Sequence, residues 1–560
     1  MAVSTPPKPA NPYKAPVPES LPEFSGPDSG TGKWMALAAA LLGWMFDGAE
    51  MGIFSLVGGD AMAALMPTSS KGDQAFWFNI IMASFLVGAA TGGVLFGWLG
   101  DRIGRVRAMT LSVITYAVFT GLCGFSTAAW QVGVLRFIAS LGMGGEWSLG
   151  VALVMEIWPN KSRAFMAGLI GAAANFGYLL VGIVGLVLAD WLKSLHGWLI
   201  STGMQDSLVE ALVGHGGWRL MMLLGTFPAF LTFLIRIFVP ESEKWKKAEG
   251  SGATSHWATQ DLLGVLIGLV GPFMIICIWA WNPWNPQRPP GYFLAMQIIV
   301  TVVGLVIATA GYTYPVIRFL QRQSAATDGV HYGSTLGRMM LAACLSGVAL
   351  LGTWGTTQQA PTWAKDMVEA PYNKQVEKLK AEGKDAEAEK LDKPKGAKEH
   401  TLIWLSVGAI VGTILAAFAG DWFGRKPAYF ILCLLSMFSV WMLFLGNSTF
   451  GPGLLFWAFV AGTCTASFYG WLPLYLPELF RTHVRATGQG FGFNYGRILA
   501  AVGVLQLGNL LRTLTADQQL FGLTIPAGRP LACSAIAFVY VIGMVIIWLA
   551  PETRGKPLPE

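Results

Sequence analysis

Asp47 and Glu50 stand one helical turn apart inside a long apolar run. Positions i and i+3 share a helix face, so both carboxylates can point into one cavity. Two acids crowded together in low dielectric cannot both ionise cheaply, so one of them is expected to load and release a proton. The alternative is that one acid pairs with a buried arginine for structure alone. A later apolar run carries Arg136 and then Gly142-Met143-Gly144-Gly145-Glu146-Trp147. Arg136 and Glu146 lie about 15 Å apart along a helix, so they cannot pair with each other and need partners on other helices. Near the C-terminus, Asn494-Tyr495-Gly496-Arg497 places an arginine well inside an apolar run with no acid near it in sequence. The guanidinium fork suits a carboxylate, which makes Arg497 the candidate for a substrate anion, unless it is a structural cation. Gln358 and Gln359 end another run; their amides donate and accept, which suits hydroxyl-rich ligands, and a helix cap explains them equally well. Tyr469 and Trp471 could wall a pocket, and Asn175 and Tyr178 share one helix face.

The elements that carry these residues follow from composition. The chain has 560 residues, 54% of them hydrophobic and 12% charged, with a net charge of +6. A soluble protein carries about twice that charge. The apolar residues form runs of roughly 20, enough to cross a hydrocarbon core of ~30 Å. The class is an all-α polytopic membrane protein. Fourteen spans are expected, near 34–57, 75–99, 107–126, 130–155, 164–189, 218–239, 261–281, 293–317, 338–359, 401–420, 427–446, 453–476, 487–511 and 531–550. Basic residues concentrate in alternate short loops, which predicts both termini in the cytoplasm. Residues 1–32, with eight prolines, read as a disordered cytosolic tail. Cys123, Cys277, Cys344, Cys433, Cys464 and Cys533 lack paired metal-ligand spacing and read as small core residues.

The chain also repeats. Gly100-Asp101-x-x-Gly104-Arg105, within GWLGDRIGRVR at 97–107, returns as Gly420-Asp421-x-x-Gly424-Arg425. Glu156 and Arg163 match Glu478 and Arg485, and Pro240-Glu241-Ser242 matches Pro551-Glu552-Thr553. Three signatures in the same order mean two related halves, the usual construction of secondary transporters. The halves are 33–239 and 336–550. Between them lie a cytosolic linker, 240–260, and an inserted transmembrane hairpin, 261–320, expected to be peripheral to the transport path. An outside loop, 360–400, carries nine lysines and nine acids at helix-like spacing, which reads as a solvated face. Residues 551–560 form a short cytosolic tail.

These motifs resemble the major facilitator superfamily from Lys33 to the C-terminus. PESEKW at 240–245 and PETRGKPL at 551–558 look like the ends of the six-helix halves in its sugar-porter-like branches. Asp47-x-x-Glu50, GMGGEW and the extra helix pair resemble the sialate:proton symporter branch, which handles sialic acid or lactate-type monocarboxylates. Glu50 stands there in place of the commoner Asp. The resemblance implies a major facilitator fold with two additional helices and a proton-coupling role for Arg136 and Glu146 beside Asp47 and Glu50. It implies sugar-binding amides at Gln358 and Gln359. It assigns a gate to Gly97, Asp101, Arg102, Gly104, Arg105, Glu156, Arg163, Asp421, Arg425, Glu478 and Arg485.

The expected activity is therefore proton-coupled uptake of a small organic acid by alternating access, in the cell (inner) membrane. Asn494 is grouped with Arg497 in the substrate set. A sugar or polyol porter is the rival within transport, and a non-transporting receptor that uses loop 360–400 is a third reading. No phosphate-cradling glycine loop precedes a Lys-Ser/Thr, and the histidines do not cluster, so neither an ATPase nor another enzyme is expected. The expected partners are a small solute, protons and lipid; no cofactor, metal or nucleic acid is called for, and the chain reads as a monomer.

Overall fold

With no water in a bilayer to satisfy backbone groups, apolar runs of this length must close their hydrogen bonds internally as helices. The structure, a computed structural model, describes residues 30–69, 71–158, 162–226, 239, 241–250, 258–280, 290–326, 332–385, 391, 395–514, 516–520 and 523–559. The first half is built from α1 (Gly30–Leu65), α2 (Lys71–Ile103), α3 (Arg105–Cys123), α4 (Ala129–Ile157), α5 (Arg163–Ser201), α6 (Asp206–Val213) and α7 (Trp218–Leu224). A short linker helix, α8 (Glu243–Gly250), leads to the inserted hairpin, α9 (Leu262–Ala280) and α10 (Pro290–Ala326). The second half runs through α11 (Tyr332–Trp354), α12 (Ala360–Ala381), α13 (Ala397–Phe423), α14 (Arg425–Leu445), α15 (Pro452–Thr465), α16 (Phe468–Tyr475), α17 (Arg485–Thr513), α18 (Arg529–Ile536) and α19 (Val539–Ile546).

Among the described residues, twelve helical stretches are long and apolar enough to cross a membrane. The expected count of fourteen is not supported by that number. Of the two missing runs, 218–239 contributes α7, but residues 227–238 lie outside the described residues. The other, 487–511, is the continuous helix α17, whose Gln489, Asn494 and Arg497 make it too polar to qualify. Those three side chains are buried, so the helix turns its polar groups to protein rather than lipid.

The all-α expectation meets one small exception. After α17 the chain forms a two-stranded antiparallel ribbon, β1 (Gln518–Leu520) with β2 (Leu523–Ile525), pairing Gln518 with Ile525. Alternating Leu, Thr and Ile in β2 favour an extended strand over a helical turn. Loop 360–400 is helical through α12, as its spacing predicts, and residues 386–390 and 392–394 lie outside the described residues. So do residues 1–29, which hold most of the expected tail. The cysteines divide: Cys123, Cys433 and Cys533 are buried, but Cys277 is exposed, because it sits on the outer face of α9 rather than in a core.

Within the first half α2 packs on α4 and α1 on α5; in the second, α13 packs on α15 and α11 on α17. The halves meet along two seams, α2 with α17 and α5 with α13. Glycine makes the close approaches. A Cβ on Gly144 would lie 1.9 Å from the Ala89 carbonyl oxygen, so α4 and α2 touch backbone to backbone.

Candidate functional site

The three repeated signatures converge on one cluster in each half. Gly104 has φ +108° and Gly424 φ +98°, a conformation that L side chains rarely adopt, so each breaks the chain sharply before the next helix. The arginine that follows folds back: Arg105 donates to the Gly100 carbonyl at 2.8 Å, and Arg425 to that of Gly420 at 2.7 Å. Glu241 caps the start of α3, accepting from the backbone of Arg105 at 2.9 Å and Val106 at 3.0 Å. Glu552 does the same for α14, accepting from Arg425 and Lys426 at 3.1 and 3.2 Å. Burial would raise the Glu552 carboxyl, but these backbone N–H donors outweigh it and hold the group below the usual carboxylate range. Ser242 donates to Glu156 at 2.7 Å and Thr553 to Glu478 at 2.6 Å, which explains why PES and PET carry a hydroxyl residue at the third position.

The same clusters tie the halves together. Arg485 of α17 reaches Glu156 of α4 at 3.1 Å and donates to the Pro559 carbonyl at 2.6 Å. Arg163 of α5 bears electrostatically on Glu478 of the second half. Arg105 is fully buried and paired with Asp101 at 2.9 Å, and it donates to the Thr482 carbonyl at 3.1 Å. The other Asp101 oxygen accepts from the Thr487 amide at 2.9 Å and its hydroxyl at 2.5 Å. A Cβ at Gly97 would lie 3.0 Å from the Ala486 carbonyl oxygen, so the α2–α17 seam is shut here. Two gate candidates stay within reach of their own side. Asp421 is exposed and meets Arg425 at 3.4 Å, while Arg102 stands over Trp98 and donates to Thr259, ahead of the hairpin, at 2.7 Å. Asp101→Asn removes a charged acceptor from this closed end, where such bonds contribute about 1.5–3 kcal/mol. It is expected to slow net uptake by roughly tenfold or more with little change in solute affinity. Parallel uptake and equilibrium-binding measurements check this; an equal loss in both would remove these residues from the gate.

Between the halves, away from that closed end, lies a cavity of about 110 Å³. On that measure ~10–15 Å³ admits one water, so the space takes a compact solute. Its polar walls are Asp47 of α1, Asn175 and Tyr178 of α5, Gln358 and Thr357 beyond α11, Tyr469 of α16 and Arg497 of α17. Asp47 is the carboxylate whose charge acts on Arg497, with Tyr178 and Tyr469 beside it. The floor is aromatic. Trp147 stacks on Phe493 with ring centres 3.7 Å apart, Trp44 stacks on Trp147 at 6.0 Å, and the Arg497 guanidinium lies 5.4 Å from the Phe493 ring centre. Trp147 belongs to the first half and Phe493 to the second, so this stack crosses between them.

Other expected residues fall elsewhere. Glu50 does not share the cavity with Asp47; it turns away to an ion pair with Arg136 and accepts from Thr120 at 3.2 Å. Arg136 lies 4.5 Å from the Phe54 ring centre and 4.6 Å from that of Phe85. An offset of three residues rotates a side chain by about 60° from the one before it on the same face, enough to separate the two acids. Glu146 is fully buried and is not among the cavity-lining residues. Asn494 also leaves the substrate set: its amide donates to the Gly144 carbonyl at 3.2 Å and to Gly490 at 3.0 Å, binding α17 to α4. Trp471 sits in the second-half core, donating to the Arg425 carbonyl at 3.2 Å, because its face of α16 turns to Tyr429 and Tyr475. Gln358 lines the cavity, and Gln359 is not among the lining residues. Trp44 and Phe493 were missed from sequence. Their signal was spacing: Trp44 precedes Asp47 by three residues and Phe493 precedes Arg497 by four, each an aromatic one turn from the charge it accompanies.

Comparison with known proteins gives the same architecture. The sugar (and other) transporter family matches residues 35–262 and 370–554. A putative metabolite transport protein of Haemophilus influenzae is 24% identical over 94% of this chain and 98% of its own length. The benzoate transport protein of Acinetobacter baylyi is 23% identical over 93% of this chain and 90% of its own. The cis,cis-muconate transport protein of the same organism is 33% identical, over 30% of this chain and 35% of its own. Among solved structures, the proton:xylose symporter XylE superposes with a TM-score of 0.61 at 16% identity, covering 94% of this chain and 98% of that one. With the repeated halves, the matching charge clusters and a cavity between them, the chain belongs to the sugar (and other) transporter family and is a multi-pass membrane transporter with the major facilitator fold, not an enzyme.

Proposed function

We propose that the protein takes up a small, planar organic acid together with a proton, by alternating access. The observation that carries this reading is Arg497, held in the central cavity beside Asp47 and above an aromatic floor. A solute carboxylate competes with Asp47 for the Arg497 fork. Protonation of Asp47 releases the guanidinium to the solute, so proton and anion bind together. The flat face of a conjugated acid then lies against Trp147 and Phe493. Relatives that carry benzoate and muconate by name support the same chemical class.

The rest of the reading follows from it. The end closed by Asp101, Arg105, Glu156 and Arg485 is cytoplasmic, with both termini, and the membrane is the cell membrane. The two expected runs beyond the twelve are α17 and 218–239, the second lying largely outside the described residues. One chain encloses a whole cavity, so the working unit is a monomer. Glu50, Arg136 and Glu146 act on the proton step from outside the cavity. The first-helix and GMGGEW motifs keep sialic-acid and lactate-type acids in the substrate panel.

Proton entry into proteoliposomes holding a pH dye tests the proposal. Benzoate, muconate, lactate and sialic acid are added in turn, then neutral sugars. Entry with acids alone agrees with it. Entry with sugars alone would overturn it in favour of a sugar or polyol porter, the reading favoured by Gln358, Thr353 and Thr357 on the cavity wall. Trp147→Ala should separate acids further. Loss of an aromatic contact removes about 0.5–1.5 kcal/mol beyond its area burial, so benzoate affinity is expected to fall at least several-fold while lactate changes less. Equal losses for both would show that the floor does not read a planar ring.

A further inference from the structure

The hairpin α9–α10 is absent from the central cavity, yet it lies across a moving seam. Its two helices form one rigid unit. Gly271 and Gly304 approach backbone to backbone, with a Cβ at Gly271 only 2.1 Å from the Gly304 carbonyl oxygen. Asp261 and Arg322 form an ion pair across the gate end of the hairpin. On one side the hairpin is fastened to the first half at two levels. Arg102 donates to Thr259 in the turn that leads into α9, and the hydroxyls of Tyr312 and Thr91 lie 2.7 Å apart. Thr91 already donates to the Val87 carbonyl at 2.9 Å, so Tyr312 is the donor to Thr91. On the other side it touches the second half at the same two levels. Thr309 already donates to the Leu305 carbonyl at 2.7 Å, so the single Tyr495 proton serves the nearby Thr309 hydroxyl at 2.6 Å, with the Leu305 carbonyl at 3.1 Å as its alternative acceptor. The Phe319 ring meets His483 with centres 5.8 Å apart.

A rigid element cannot keep both sets of contacts when the seam opens. Opening the gate end must break Asp101–Thr487 and Arg485–Glu156 and draw α17 away from α2. A hydrogen bond is lost beyond about 3.5 Å. The packing of α9 lies chiefly along α2, whereas α10 also approaches α17 and α11 of the second half. We propose that the inserted hairpin travels with the first half and latches the second half, through Tyr495–Thr309 and Phe319–His483, in the state closed at the gate end. The latch lies outside the solute cavity, so it sets the balance between states rather than solute choice.

The test needs no solute and so fails or succeeds apart from the organic-acid reading. On a background lacking the native cysteines, spin labels are placed at lipid-facing Val302 of α10, Leu111 of α3 and Leu434 of α14, all exposed. The 302–111 distance is expected to show one population and the 302–434 distance two, which report the closed and open gate end. Tyr495→Phe with Thr309→Val should raise the minor 302–434 population several-fold, the effect of about one net hydrogen bond. Phe319→Ala, which touches the other contact, should shift it in the same direction. A 302–111 distance that divides while 302–434 stays fixed would reverse the assignment. Unchanged populations in both variants would overturn the latch.

Discussion

Arg497→Gln is expected to lower organic-acid uptake by about a hundredfold or more in kcat/KM. Arg497 is the guanidinium among the cavity-lining residues and is only 8% exposed. Truncating one partner of a buried, hydrogen-bonded charge pair costs about 2–5 kcal/mol, and tenfold corresponds to ~1.4 kcal/mol. Part of that loss is the removal of the positive charge that acts on Asp47 rather than the lost solute contact. The double variant Arg497→Gln with Asp47→Asn separates the two. It removes both charges, so folding and yield are expected to return while uptake does not. Arg497→Lys keeps the charge without the planar fork and should recover only part of the activity. Binding can be followed by quenching of Trp44 and Trp147. Unchanged benzoate affinity in Arg497→Gln would leave Arg497 a structural cation and move the site to Gln358 and its neighbours.

The second large effect is expected at the two acids of α1, and it should differ in kind between them. Asp47→Asn mimics the protonated acid and leaves Arg497 open to the solute. Counterflow is expected to persist while proton-driven accumulation disappears. Glu50→Gln removes the carboxylate paired with Arg136 and leaves the guanidinium buried between Phe54 and Phe85. Breaking a buried ion pair by removing one partner costs about 3–5 kcal/mol, so thermal stability should drop as well as accumulation. Restoring neutrality with Arg136→Met in the Glu50→Gln background should recover stability without recovering coupling. Accumulation that survived both amide changes would dismiss the proton-site assignment.

These effects stay separable because three sites are distinct in space. The repeated charge clusters shut one end, the cavity holds Asp47 and Arg497, and the Glu50–Arg136 pair lies behind the cavity wall. Solute affinity, net transport and coupling therefore form three readouts, and each variant is expected to move a different one first.

The sequence by itself determined the membrane class, the internal repeat and the residue types of the repeated charge clusters. Run length is enough for the first, because a bilayer leaves an apolar run of twenty residues one backbone solution. The repeat was legible because each gate signature is local: Gly104 and Gly424 are needed for a backbone turn, and Arg105 and Arg425 fold back onto carbonyls five residues away. It also supplied Arg497 and Asp47 as charges that an apolar run does not tolerate without a use. What only the tertiary structure decided is partnership. Asp47 and Glu50 are equivalent in sequence, yet helix rotation sends one to the cavity and the other to Arg136. Asn494 and Trp471 are plausible ligands by type, yet the faces they occupy turn to α4 and to the second-half core. Arg485 and Arg163 match by repeat, but only the packed halves show that each addresses the glutamate of the opposite half. The hairpin reads as an appendage by hydropathy alone, because a lipid-facing surface hides which seam lies behind it. Pairings across 200 to 400 residues depend on how helices rotate and pack, and nothing in the spacing of a single helix encodes them.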